Sequence, residues 1–446
     1  MRFPHPLALL AACTIVAALL TYALPAGRYE RRDDPVTGRS IVVPGTFAQV
    51  PATPVGPFQM VVAIPKGLTE AGSVVFLVFL VGGAFAVVEQ TGALRRVVGR
   101  LAHLLARRES IAIPVCCVAF AVGGAVENMQ EEIIAFVPVL LLLSRRLGFD
   151  ALTAVAMSLG AAAVGAAFSP VNPFQVGIAQ KLAGLPTNSG FGFRSVTLAF
   201  ALGIWIFGTM RYAARIRTSG AAATAEDADL AEPLGGRHAV VLALVAAALV
   251  MVIIGILLLG WDFDQLSAIF LVMGIAAGLA AGLGINGTAV AFVEGFRAMA
   301  GAAMLIGFAK AISVVLVEGQ VLDTIVHGLF TPIAGLPVAL SAVAMTAVQT
   351  AIHVPVPSVS GQAALTMPVL IPLADLLGLS RQLTVYAYQL GAGLCELITP
   401  TNGALMAILS AAGVPYGRWL GFLMRWYVAL VLFGIVTLIA GISLGV

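Results

Sequence analysis

Apolar runs long enough to cross a bilayer alternate with short charged breaks along the whole chain. A span needs about 20 predominantly apolar residues. The first candidate covers residues 7–25, and a polar loop including GRYERRDDPVTGRSIVVPGTF reaches to 56. A short amphipathic stretch, 57–70, leads into a span at 71–90. In ALRRVVGRLAHLLARRES (93–110), Leu/Val and Arg recur at helical spacing, which predicts a helix lying along the interface. Apolar arms at 111–126 and 133–144 flank a polar tip, ENMQEE (127–132). Spans follow at 150–185, 194–212, 238–259, 265–284 and 301–319, with a linker-like stretch at 213–236. Apolar arms at 334–356 and 362–378 flank a second tip, VPSVSG, before spans at 382–412 and 419–443. Two of these runs are interrupted, by SPVNP (169–173) and by TPTNG (399–403).

The arginines orient the chain. With the N-terminus inside, Arg2, Arg95, Arg96, Arg100, Arg107, Arg108, Arg145, Arg146, Arg211, Arg215, Arg217, Arg237, Arg297, Arg418 and Arg425 are cytoplasmic. The outside set is shorter, and Arg28, Arg31, Arg32 and Arg39 of that set share one loop with Glu30, Asp33 and Asp34. Arg107 and Arg108 precede the segment 111–144, and Arg145 and Arg146 follow it. Both of its ends therefore face inside. The segment is predicted to be a re-entrant hairpin with ENMQEE at its tip, tolerated where it is packed in protein or lines a wet cavity.

The chain also repeats itself. A shift of 230 residues carries Pro138-Val139-Leu140 onto Pro368-Val369-Leu370 and Leu147-Gly148 onto Leu377-Gly378. It carries Ser169, Pro170 and Asn172 onto Thr399, Pro400 and Asn402. Apolar matches are cheap here, whereas proline, glycine and asparagine in register are not. Five crossings separate the copies, an odd number, so the second copy is inverted and its hairpin opens outward. The predicted fold is an all-α polytopic membrane protein built on an inverted-topology repeat, with two re-entrant hairpins and two broken transmembrane helices. Its expected divisions are 1–56 (first helix and outside loop), 57–212 (first repeat: hairpin 111–146, broken helix 150–185), 213–236 (cytoplasmic linker) and 237–446 (connecting helix and second repeat: hairpin 334–379, broken helix 382–412).

Composition agrees. Hydrophobic residues make up 60% of the 446, charged residues only 10%, and mean hydropathy is +1.03. A soluble domain averages about 25% charged. Net charge is +3 with no basic tract or zinc-finger spacing, which excludes nucleic acid as a partner. Cys13, Cys116, Cys117 and Cys395 lie in apolar runs without metal-ligand spacing and read as small hydrophobes. The N-terminal apolar region is longer than the ~7–15 residues of a signal peptide and reads as a retained span. No His-Glu-x-x-His, Gly-x-Ser-x-Gly or phosphate loop occurs, so no enzyme and no cofactor is expected.

The breaks suggest a binding site. An interrupted helix exposes backbone groups and half-helix dipole ends, which at a midplane site become ligands. Asn172 and Asn402 add amides, and Ser169, Thr399 and Thr401 add hydroxyls. With Gln130, Glu131 and Glu132 at the first tip, Ser358, Ser360, Gly361 and Gln362 at the second, and Glu396 a turn before TPTNG, these form the candidate substrate and ion site. Intramembrane carboxylates are functional by default, although the tip glutamates also read as merely solvated. Lys310 reads equally as a structural ion pair or a substrate contact, His353 as a hydrogen-bonded cap more than a proton switch, and Glu89 and Glu318 as interfacial caps.

The residues resemble a family. Phe3-Pro4-His5-Pro6, Ile64-Pro65-Lys66-Gly67, Gly82-Gly83-Ala84-Phe85, Gln130-Glu131-Glu132, Asn172-Pro173-Phe174, Gly177-Ile178-Ala179-Gln180, Ser360-Gly361-Gln362-Ala363, Thr366-Met367-Pro368 and Pro400-Thr401 carry it over almost the full length. Together they resemble the C4-dicarboxylate anaerobic carrier family, in its YfcC-like branch within the ion-transporter superfamily. The resemblance implies a carrier in the bacterial inner membrane for carboxylate-bearing metabolites or amino acids. It also implies a homodimer working by an elevator motion, with Na+ or H+ as coupling ion. The chain departs from the branch at His353 and Glu396, where asparagine is common, and at Ala392, where aspartate is common. Acidic groups at the site would also suit a basic amino acid, and a cation antiporter on the same fold stays open as the alternative.

Overall fold

The computed structural model describes residues 5–34, 40–93, 96, 109–130, 133–186, 189–216, 235–259, 261 and 263–446. Helix α1 (Pro6–Ala23) is followed by a loop with strands β1 (Gly27–Arg28), β2 (Arg31–Asp33), β3 (Ser40–Val42) and β4 (Ala48–Gln49), paired antiparallel as β1 with β4 and β2 with β3. Helices α2 (Pro57–Glu70) and α3 (Gly72–Gln90) come next. The predicted interface helix at 93–110 falls almost wholly outside the described residues. The first hairpin is α4 (Glu109–Glu127) and α5 (Ile133–Arg146). The first broken helix has one half, α6 (Ala151–Ala167), before the SPVNP interruption. Its other half, α7, is π-wound over Pro173–Gly177 and α-helical over Ile178–Leu182.

After α8 (Phe191–Ile216), α9 (Gly236–Leu259) and α10 (Phe263–Ala281), the chain enters α11 (Gly284–Glu318). This helix of 35 residues corrects the expectation of a span beginning at 301. Its first half carries Glu294 and Arg297, which lower local hydropathy, and Glu294 accepts a hydrogen bond from Gln90 Nε2 at 2.6 Å. Under the 230-residue shift α11 overlies α2 and α3, so one continuous helix replaces two. A short helix, α12 (Leu322–Phe330), precedes the second hairpin, α13 (Val338–His353) and α14 (Val359–Leu377). The second broken helix is α15 (Arg381–Cys395) and α16 (Gly403–Ala411), and α17 (Tyr416–Leu444) closes the chain. Among the described residues, seven helices are long and apolar enough to cross a membrane. The broken helices are not among those seven, since each crosses only as two halves.

The repeat is visible in the punctuation of the helices. Gly148 and Gly378, equivalent positions, take φ of 77° and 72° and close a 6→1 turn after each hairpin. Phe149 N donates to Ser144 O at 2.8 Å, and Leu379 N to Ala374 O at 2.9 Å. A left-handed C′ residue favours glycine, which has no Cβ to clash. Two residues on, Asp150 and Ser380 cap the broken helices, accepting from Thr153 N (2.9 Å) and Leu383 N (3.1 Å).

The two broken helices run in opposite directions. The first starts where α8 ends and α17 begins, since Asp150 Oδ2 accepts from Tyr212 Oη at 2.8 Å and Arg418 Nη2 at 2.7 Å. The second starts where the first ends, since Arg381 Nη1 donates to Ala183 O at 2.9 Å. They cross near their breaks, where Gln389 Nε2 donates to Ser169 O at 2.9 Å. An inverted pair is the result.

Small residues permit this closeness. A Cβ on Gly124 of α4 would collide with the Ala162 backbone of α6, and one on Gly165 with the Ala121 backbone. In α11, a Cβ on Gly295 would meet Gly82 O at 2.5 Å. Backbones that touch this way gain dispersion contacts in an environment with no hydrophobic drive between helices. Leu77, Val81, Phe85, Val241, Phe270 and Phe292 belong to a second, smaller core joining α3, α9, α10 and the first half of α11. The larger core holds both hairpins and both broken helices.

The outside loop is strapped to α12. Buried Asp323 accepts from Tyr29 N at 2.9 Å and from Arg31 Nη2 at 2.7 Å. Burial, reinforced by the Asp323 carboxylate, pushes the Tyr29 hydroxyl up to about 12, and it bonds His327 Nδ1 at 3.1 Å.

Gly124→Leu is expected to cost on the order of 1–3 kcal/mol through overpacking and to lower the thermal midpoint of the detergent-purified protein. Gly301→Ala, where an added Cβ meets nothing within 4 Å, is expected to hold or raise it, since alanine favours a helix interior over glycine.

Candidate functional site

Each break is built the same way. Asn172 caps α7, its Oδ1 accepting from Phe174 N and Gln175 N at 2.9 Å each. Its Nδ2 donates to Gly124 O at 2.9 Å, a carbonyl in the last turn of α4 that also accepts from Asn128 N at 3.0 Å. Ser169 Oγ accepts from Asn172 N (2.8 Å) and donates to Ala125 O (2.5 Å). In the second copy, Asn402 Oδ1 accepts from Leu405 N at 3.2 Å, and Thr401 Oγ1 donates to Val354 O at 2.6 Å. Thr399 Oγ1 bonds Thr401 Oγ1 at 2.7 Å. The broken helix in each repeat thus satisfies carbonyls where the first arm of its own hairpin ends. Ser169, Asn172, Thr399 and Thr401 are at most 2% exposed and spend their side chains on this turn architecture.

The polar centre lies at the second break and joins the two repeats. Gln130, 2% exposed on the first hairpin's tip, donates through Nε2 to Glu396 Oε2 and accepts at Oε1 from Asn402 Nδ2 at 3.1 Å. Asn402 Nδ2 also reaches Glu396 O at 3.2 Å. Glu396 is 6% exposed, and its Oε1 lies 3.8 Å from His353 Nε2. Behind it, His353 Nδ1 bonds Gln362 Oε1 at 2.8 Å, while Gln362 Nε2 donates to Gln349 O at 2.8 Å and to Gln349 Oε1. Gln349 Nε2 donates to Thr366 Oγ1 at 2.9 Å.

This chain of donors fixes the histidine. Gln362 spends its N–H groups on Gln349, so its oxygen faces His353, and His353 Nδ1 must carry the hydrogen. In a neutral ring Nε2 would then turn a lone pair toward the Glu396 carboxylate, two acceptors face to face. At 3.8 Å the two make no hydrogen bond, and Nε2 is buried without a hydrogen-bond partner among the described residues; a proton on either group, with a closer approach, would let them bond. A buried charge left without that proton carries a large desolvation cost.

The structure sorts the expected residues. Gln130, Glu396 and Asn402 meet at one point. Gln362 joins through His353. Ser358 is the N-cap of α14, accepting from Gly361 N at 3.3 Å, and Ser360, Gly361 and Gln362 lie in that helix's first turn, so the helix and its cap take in most of the expected tip, 356–361. Glu131 and Glu132 lie outside the described residues. Lys310 pairs with Glu70 at 3.3 Å and is 42% exposed, an ion pair between α2 and α11. Glu318 pairs with Lys66 at the end of α11.

Glutamines were the missed signal. Buried Gln349, Gln175 and Gln389 sit in apolar runs, where an uncharged amide raises less suspicion than a charge but needs partners as badly. Gln175 Nε2 donates to Asn128 Oδ1 at 3.2 Å, and Asn128 takes a φ of 59° at the first tip. Among the described residues, Gln175 Oε1 and Gln389 Oε1 are buried with no hydrogen-bond partner.

Inverted hairpins and broken helices closing on a buried polar point define a multi-pass membrane carrier, not an enzyme. The chain belongs to the C4-dicarboxylate anaerobic carrier family, whose profile matches residues 3–443. It is 32% identical to the putative basic amino acid antiporter YfcC of Escherichia coli K12, over 94% of this chain and 92% of that one. It is 29% identical to an uncharacterized protein of Haemophilus influenzae, over 92% and 83% of the two chains. Among solved structures it is similar to the Alcanivorax borkumensis YdaH transporter (TM-score 0.47, 17% identity, 99% of each chain). It is also similar to Neisseria gonorrhoeae MtrF (TM-score 0.42, 15% identity, 98% and 94%).

Asn172→Ala removes the acceptor of the Gln175 N–H, which is buried, and of the part-buried Phe174 N–H. At about 1–3 kcal/mol for each buried group left unsatisfied, it is expected to lower the thermal midpoint by more than Ser360→Ala does. Differential scanning fluorimetry of the two variants checks this.

Proposed function

We propose that the protein is a secondary active carrier that exchanges a carboxylate-bearing, cationic amino acid for protons. The observation that carries this reading is the buried Glu396 carboxylate facing His353 Nε2 at 3.8 Å. A substrate ammonium or guanidinium arriving at Glu396 would supply the positive charge that the shared proton otherwise provides. Binding would therefore expel the proton, and its return would expel the substrate, which couples the two flows by competition at one carboxylate. The substrate's own carboxylate would meet the N-terminal end of a half-helix, where dipole and capping groups favour an anion. The name of the Escherichia coli relative supports a basic amino acid over the dicarboxylate of the family name.

Alternating access would follow an elevator motion, with hairpins and broken helices sliding against the smaller core of α3, α9 and α10. The protein would act as a homodimer in the bacterial inner membrane, its N-terminus in the cytoplasm on the side richer in arginine. A second reading, a Na+/H+-type antiporter on the same fold, draws on Gln175 Oε1 and Gln389 Oε1. Neutral amide oxygens without donors, among the described residues, suit a hard monovalent cation.

Proteoliposomes carrying an internal pH dye decide between them. Radiolabelled arginine or lysine is expected to enter empty proteoliposomes while protons leave, and to exchange against internal unlabelled substrate without net proton movement. Glu396→Gln should abolish both fluxes, and His353→Asn should flatten their pH dependence while retaining exchange. Exchange of a C4-dicarboxylate with arginine silent would overturn the cationic substrate. Proton movement driven by sodium alone, with every amino acid silent, would assign the antiporter.

A further inference from the structure

A cavity of about 290 Å³ opens between the end of α8 and the start of α17, and none of the central-site residues lines it. Arg211, Arg215, Arg418 and Arg425 line it, together with Tyr212 and Trp426. Arg211 and Arg215 stand one turn apart on α8, and Arg418 and Arg425 two turns apart on α17. Like charges one turn apart repel. Among the described residues the one carboxylate in contact is Asp150, which already holds Arg418 at 2.7 Å, Tyr212 Oη at 2.8 Å and the N-terminus of α6. Three guanidiniums around the hollow remain uncompensated by it.

Two further features say what kind of anion fits. The Trp426 ring lies against Gly208, where an added Cβ would come within 2.5 Å of the indole, and Trp and Tyr together mark headgroup depth. Deeper along the same helices, Phe200, Phe207, Val428 and Leu432 are exposed, an apolar track continuing from the charged hollow. A soluble phosphate would use the hollow and leave the track bare. A phospholipid uses both.

We propose that this cavity binds the phosphate headgroup of an anionic phospholipid in the leaflet on the arginine-rich face, its acyl chains lying along the α8–α17 track. Basic pockets between helices recognise such headgroups. The site is independent of the substrate reading. Because Arg418 bridges the cavity and Asp150, the lipid sits against the cap of the first broken helix and stabilises the packing of α8, α17 and α6.

The test uses the full chain, purified in neutral detergent, with thermal midpoints recorded during titration of phosphatidylglycerol, phosphatidylcholine or inorganic phosphate. Phosphatidylglycerol is expected to raise the midpoint and the other two are not. In Arg211→Gln and Arg425→Gln, the half-maximal phosphatidylglycerol concentration should rise about fivefold per arginine removed, while Arg211→Lys should shift it less. Both arginines are exposed, so the variants should fold, and native mass spectrometry of retained lipid gives a second readout. Equal effects of the two lipids would overturn the proposal, as would a phosphatidylglycerol response unchanged in the double variant. A response matched by inorganic phosphate would make the site one for a soluble anion. A loss of stability on neutralising Glu226, Asp227, Asp229 and Glu232, with no lipid response, would assign the hollow to the chain's own acidic stretch.

Discussion

A helix interrupted inside hydrocarbon leaves backbone donors and acceptors that water cannot reach, and every one must find a partner in the protein. That constraint organises this molecule. At the first break, Asn172 and Ser169 take up the stranded N–H groups with one set of atoms and the end carbonyls of α4 with another. At the second, Asn402 and Thr401 divide the same work, Thr401 reaching the Val354 carbonyl at the end of α13. A break and its hairpin are therefore one structural unit. Neither could exist at membrane depth without the other, which explains why the sequence carries both twice and in the same order.

Once the breaks are satisfied locally, little polar capacity remains, and what remains is informative. Asn172 and Ser169 are committed to the turn, so they shape the site more than they serve it. Glu396 and His353 face each other at the second break, with Gln130 reaching across from the other repeat to bond the carboxylate. A carboxylate at such depth is costly unless a proton or a cation joins it. The His353–Gln362–Gln349 relay orients the imidazole Nε2 toward the carboxylate.

The remainder of the fold holds this unit in place. Glycine-on-backbone contacts between α4 and α6, and between α3 and α11, bring helices close enough for the carbonyl clasps to form. The Asp323 strap ties the outside loop to α12 with a buried carboxylate, and Lys310–Glu70 and Lys66–Glu318 pin α2 along α11. These are supports at the periphery, where charges reach partners and water together.

Hydropathy located the spans apart from the first half of α11, because a bilayer imposes one length and one composition on any helix that crosses it. The 230-residue register, the inversion and the two breaks were also legible, because proline, glycine and asparagine mark backbone conformations that few other residues serve. The outcome at Gly148 and Gly378, and at Asp150 and Ser380, follows from that local chemistry. The extent of α11 was not legible, since Glu294 and Arg297 lower hydropathy without breaking a helix. Nor could sequence tell that Lys310 turns to Glu70, that Gln362 meets His353, or that Gln130 bonds Glu396 across 266 positions. Buried glutamines look alike in a linear chain, and only packing decides which amide meets which carboxylate. Spans and breaks are written in the covalent preferences of short segments, whereas the partners of Glu396 depend on where two inverted repeats bring their surfaces together.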